Sequence, residues 1–137
     1  MALIVVRHIV GQPVGEAHRY LSALAASGGT MLVGVRISDG ATRTHAVAID
    51  ERSSSSTGER KWWSAWDARV GIPGASGTLT ARDAGNGETV LEFCGSYTSP
   101  GFTAETSQDV FAFRRASALA RAYLGALGQS IRTTVAA

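Results

Sequence analysis

The chain has one cysteine and one lysine in 137 residues, and each scarcity removes a class of explanation. The lone thiol, Cys94, cannot form an internal disulfide, so a scaffold held by internal disulfides is excluded. Cys94 falls within an expected strand, where a small buried hydrophobe is the ordinary reading and a reactive thiol the rarer one. Lys61 is the sole lysine, so arginine supplies the rest of the 13 basic residues, set against 11 acidic ones. Net charge is only +2 and Arg114-Arg115 is as long as any basic run becomes. A nucleic-acid partner, which demands clustered cations, is not expected. No stretch reaches the ~18 uninterrupted apolar residues of a membrane span, so integral membrane association is not expected. Arg7-His8 interrupt the apolar N-terminal run instead of preceding it, unlike a signal peptide. A cytoplasmic location is the expectation. His8, His18 and His45 are far apart, with no H-x-x-x-H or C-x-x-C spacing, and neither a metal nor a cofactor is expected. Gly71-Ile-Pro-Gly74 lacks the spacing of a phosphate loop.

What is present is a core: 45% of residues are apolar, in a length suited to one domain over residues 1–137. Residues 2–10 are almost continuously apolar and β-branched, as in a buried strand. Pro13 then opens a short helix, to about residue 27, with Val14, Ala17, Leu21, Leu24 and Ala25 at helical spacing. Gly28-Gly29 closes it. Alternating residues predict strands over 31–38 and 43–50, joined by a turn at Asp39-Gly40. A serine-rich loop over about 51–61 follows. From Trp62 a strand sets Trp62, Ser64, Trp66, Ala68 and Val70 on one face, with Trp63, Ala65, Asp67 and Arg69 on the other. Residues 77–84 and 88–98 flank Gly85-Asn86-Gly87 as a hairpin, with Leu91, Phe93, Gly95 and Tyr97 on one face. Ser99-Pro100-Gly101 ends the sheet. Residues 107–135 read as one long helix, started by Thr106 and Asp109 as a capping box. Its expected apolar stripe is Val110, Phe113, Ala116, Ser117, Ala120, Leu124, Leu127, Ile131 and Val135.

Segregated helices and strands argue for an α+β fold. The last helix, at ~43 Å, outruns a ten-residue strand of ~33 Å. A curved antiparallel sheet of about six strands, wrapped around this helix, would bury the stripe. Small residues on the helix (Ala116, Ser117, Ala120) face large ones on the sheet (Trp62, Trp66, Phe93, Tyr97). That pairing suits either tight packing or a pocket.

The segment Gly77-Thr-Leu-Thr-Ala-Arg-Asp83, then Thr89-Val-Leu-Glu-Phe-Cys-Gly95-Ser-Tyr97-Thr-Ser-Pro100-Gly101, then a long helix rich in alanine and arginine, resembles the START/Bet v 1-like (SRPBCC) superfamily. It is similar in particular to small bacterial polyketide cyclase/dehydrase and lipid-transport-like members. Asp83 stands near the place of a family proline, and Ser99-Pro100 replaces Pro-Pro. The resemblance implies a helix-grip fold and an apolar cavity between sheet and helix.

The first functional expectation is therefore a binding module for a small apolar molecule, a lipid or an aromatic polyketide. Its candidate ligand-binding residues are Trp66, Leu79, Leu91, Phe93, Tyr97, Phe113, Ala120 and Leu124. A cyclase or dehydratase in the same cavity is an alternative from a different class. Tyr97, His8 and Glu92 are then the groups to find pointing inward. His8 shares a face with Ile4 and Val6, so a hydrogen-bonded packing residue is its simpler role, and a core tyrosine is that of Tyr97. Asp67 and Arg69 suit a surface ion pair. A third alternative is a homodimeric interaction protein whose core is filled by its own side chains, with Trp63 at the interface.

Overall fold

The structure is a computed structural model that describes residues 2–36, 42–52, 60–68, 73–97 and 106–136. The expected turn at Asp39-Gly40, the serines 53–56, Arg69, Val70, Gly71 and the Ser99–Gly101 strand end lie outside the described residues. So do the side chains of Thr106, Asp109, Val110 and Val135.

Among the described residues, six strands and two helices follow the predicted order: β1 (Ala2–Val10), α1 (Val14–Ala26), β2 (Thr30–Arg36), β3 (Thr42–Glu51), β4 (Lys61–Trp66), β5 (Ala75–Gly85), β6 (Glu88–Tyr97) and α2 (Thr106–Ala136). All strands pair antiparallel in one curved sheet ordered β1-β6-β5-β4-β3-β2, and α2 packs along its inner face, mostly on β1 and also on β2 and β6. The domain is an α+β helix-grip structure.

The register explains the curvature. Across the inner face, Ile4 lies opposite Gly95, Gly95 opposite Gly77, Gly77 opposite Ser64 and Ser64 opposite Ile49. Two glycines thus sit side by side in the middle of the sheet. A Cβ on Gly77 would overlap the Gly95 Cα and the Cys94 carbonyl. A Cβ on Gly95 would come within 2.5 Å of the Ser76 carbonyl and 2.7 Å of the Phe93 ring. Without side chains there, β5 and β6 fold inward and the Phe93 ring occupies the space a side chain would take.

One end of this half-barrel is closed by α1. Pro13 sets the entry, its carbonyl accepting the Glu16 and Ala17 amides. Gly28 and Gly29, both at positive φ, end the helix, and the Gly29 carbonyl accepts the Ile49 amide at 2.6 Å. The buried face of α1, Ala17 and Leu21, enters the core. His18 Nε2 lies 2.8 Å from the Ala81 carbonyl, with its ring 5.5 Å from that of Trp62. Arg60 ties the same end together, donating to Glu51 (2.7 Å) and to Ser22 of α1, with its guanidinium 5.7 Å from the Trp62 ring.

Three expectations are corrected. Cys94 is exposed on the outer face, because it alternates with the inward Phe93 and Gly95. Phe113 is 45% exposed and not part of the buried stripe. It lies on the inward side of α2, but the helix there reaches the rim of the sheet, beside Tyr97 at the end of β6. Leu119 and Tyr123 join the stripe as fully buried residues, because α2 is gripped over a wider arc than one row of residues. Among the described residues no helix is long and apolar enough to cross a membrane.

Candidate functional site

The site is the space between the inner sheet face and α2, and its walls follow from strand alternation. Every second residue of β4, β5 and β6 points inward: Trp62, Ser64 and Trp66; Ala75, Leu79 and Ala81; Leu91, Phe93 and Tyr97. From α2 come Ala116, Leu119, Ala120, Tyr123, Leu124, Leu127 and Ile131, all fully buried.

Of the eight sequence-predicted residues, seven are buried between the sheet and α2, and Phe113 is exposed at the rim. Leu79, Leu91, Phe93, Ala120 and Leu124 are completely enclosed in the middle of this space. Trp66, Tyr97 and Phe113 lie toward the end opposite α1. There the Trp66 indole donates to the Pro73 carbonyl at 3.0 Å, fixing its ring 5.4 Å from that of Phe93. The Tyr97 and Phe113 rings are 6.3 Å apart. At this open end a cleft of about 240 Å³ is bordered by His45, Ala46, Asp67 and Ala68.

The interior holds a polar pair that sequence reasoning missed. The Tyr123 hydroxyl lies 2.6 Å from Ser64 Oγ, both residues being fully buried. Burial pushes the Tyr123 hydroxyl well above the ordinary tyrosine value, the Ser64 hydrogen bond offsets part of this, and Tyr20 adds to the rise. The phenol is therefore neutral and serves as a hydrogen-bonding group, not as a base. The signal for Ser64 was present in its place between Trp62 and Trp66. The signal for Tyr123 was weak, since it stands beside the expected stripe and not in it. Ser117 Oγ and Trp62 Nε1 are also buried, without a hydrogen-bond partner among the described residues.

The three groups considered for catalysis do not converge. Glu92 is a correction: it faces outward on β6, where Arg7 of β1 pairs with it. His8 is half-buried on the inner face and packs on α2, where a Cβ on Gly128 would meet its ring at 3.0 Å. Tyr97 pairs with Ala2 and His8 with Leu91, so six residues of β1, ~20 Å, separate them. Trp63 points outward as expected, 37% exposed, with the Arg52 guanidinium 5.6 Å from its ring centroid. Among the described residues no group of three or more His, Cys, Asp or Glu side chains could hold a metal ion.

No family model matches the sequence. No curated protein is similar to it. Solved structures are similar at the level of the whole fold. The Zhui aromatase/cyclase from Streptomyces sp. R1128 superposes with a TM-score of 0.56 at 14% identity, covering 98% of this chain and 96% of that one. A START superfamily protein from Mycobacterium smegmatis gives 0.53 at 11% identity, over 93% and 97%. Ara h 8.0201 gives 0.53 at 9% identity, over 96% and 98%. Element order, sheet topology and these superpositions agree: the chain has the START/Bet v 1-like helix-grip fold.

Proposed function

We propose that the protein binds a small apolar molecule, of lipid or aromatic polyketide type, between α2 and the inner sheet face. The observation that carries this reading is the asymmetry of the half-barrel. One end is closed by α1 and its Arg60–Glu51–Ser22 latch. At the other, a phenylalanine that belongs to the inward side of α2, Phe113, stands 45% exposed beside Tyr97. An apolar surface at the rim of an apolar interior is a place for a ligand to enter. Trp66, Tyr97 and Phe113 would meet the ligand first, and Leu79, Leu91, Phe93, Ala120 and Leu124 would surround its buried part. Affinity would come from buried apolar surface at ~25 cal/mol per Å², less the costs of association. That two proteins of this fold are aromatase/cyclases supports the ligand class. We read the protein as cytoplasmic, in keeping with its single free thiol.

One observation favours a second reading, a homodimeric interaction protein with a filled core. Ala116 and Ala120 are enclosed on all sides, with Trp62, Phe93 and Tyr123 among the largest fully buried side chains. A ligand would have to displace side chains from this interior. The cyclase or dehydratase reading ranks behind both, because its candidate groups are dispersed.

Native mass spectrometry of protein purified from its own cells separates the first two. A reproducible extra mass that is lost on denaturation supports the ligand reading. Bare protein, with no thermal shift across fatty acids and aromatic polyketides, leaves the filled-core reading.

A further inference from the structure

The outer face of β1 carries a feature that the interior does not require. Leu3, Val5 and Ile9 point away from α2 and are 70%, 51% and 60% exposed. Arg7 stands between them, neutralised by Glu92 of β6. The strand lies at the edge of the sheet, and among the described residues β6 is its only strand partner. Edge strands are usually protected by lysine, proline, a bulge or short length. This one has nine residues, pairs in continuous register with β6, and has no lysine and no proline. A row of open backbone donors and acceptors is recognised by another strand.

We infer that this strand pairs with the same strand of a second copy, antiparallel about a two-fold axis through Val6, joining two sheets into one. The sequence is self-complementary in that register. Leu3 faces Ile9 of the second copy, and Val5 faces Arg7, whose aliphatic stem covers it. All nine residues overlap and no two arginines meet, whereas centring on Arg7 would oppose them. The contact is isologous, as a two-fold dimer requires. A strand ~30 Å long with a band ~10 Å deep buries roughly 600 Å² in total, about half of what the smaller stable interfaces bury. The dimer is accordingly weak and forms at about 10–100 µM. This inference does not depend on the ligand reading.

The test is sedimentation velocity of the full chain from ~1 µM to ~1 mM, with circular dichroism as the folding control. The wild type should pass from monomer to dimer. Val5→Lys, which sets a lysine opposite the second copy's Arg7, should weaken the dimer ~10-fold or more. Val5→Glu, which meets the same arginine with opposite charge, should keep or strengthen it. Leu3→Cys with Ile9→Cys, in a Cys94→Ser background, should give a disulfide-linked dimer on oxidation. A wild type monomeric throughout the range overturns the inference. So does a dimer unaffected by Val5→Lys, or one abolished by Trp63→Ala, which would put the contact on β4.

Discussion

Removing the Tyr123 hydroxyl should cost more than the hydrogen bond it makes, and a double-mutant cycle with Ser64 measures why. Both groups are fully buried and 2.6 Å apart, in an interior built mainly of apolar side chains. Tyr123→Phe leaves the Ser64 hydroxyl without a partner, and Ser64→Ala leaves the phenol without one. Each single change should destabilise by about 1–3 kcal/mol, the desolvation penalty of an orphaned polar group. The double variant strands neither group and loses only the net worth of one hydrogen bond, about 1 kcal/mol. The coupling is then about 1–5 kcal/mol, far above the ~0.3 kcal/mol at which independent sites add. Urea denaturation followed by fluorescence of the buried Trp62 and Trp66 provides the assay. Additive singles would refute the claim that the pair is one satisfied unit. The pH dependence gives a second check. The folded phenol titrates above its unfolded value near 10, because burial raises it. Above pH ~10 the unfolded chain therefore binds fewer protons than the folded one, and stability falls by up to ~1.4 kcal/mol per pH unit. Below that pH the group contributes no slope. Tyr123→Phe should remove its share of the alkaline loss.

Three further outcomes follow from the packing. Gly125→Ala on α2, where an added Cβ meets nothing within 4 Å, should stabilise by ~1 kcal/mol through helix propensity, whereas Gly77→Ala should destabilise by ~3 kcal/mol or prevent folding; thermal melts of the two decide it. Phe113→Ala, at the exposed rim, should change stability by less than ~1 kcal/mol yet weaken the binding of a fatty acid or aromatic probe several-fold. Equal loss of both, by calorimetry and melting, would count against an entry site there. Cys94, exposed on β6, should react fully with a thiol reagent in the native state, and a thiol that reacts only on unfolding would contradict its outward placement.

Much of this architecture is readable along the chain, because alternation and helical period are local properties. The period of two placed Trp62, Ser64 and Trp66 inward and Trp63 outward. Glycine pairs located the ends of α1 and the β5–β6 hairpin, where positive φ leaves little choice of residue. The exclusion of a disulfide also needed only the residue list. The small apolar character of Cys94 argues for burial, but alternation with its neighbours Glu92 and Ser96 on the outer face decides its exposure. What the sequence could not decide depends on where elements end relative to one another. Phe113 has the right helical phase to be buried, and only the height of the sheet rim exposes it. Tyr123 lies beside the expected stripe, and only the wrap of the sheet around α2 brings its hydroxyl to Ser64, 59 residues away. Glu92 was a candidate acid until pairing with β1 set it against Arg7 on the far face. The role of β1 as an edge strand is likewise tertiary, because strand order is fixed by which chain segments meet, and a nine-residue apolar strand reads the same at an edge as in the centre. Local sequence sets which way each side chain turns, since that follows from backbone periodicity. Assembly of the sheet around the helix decides what each side chain then meets.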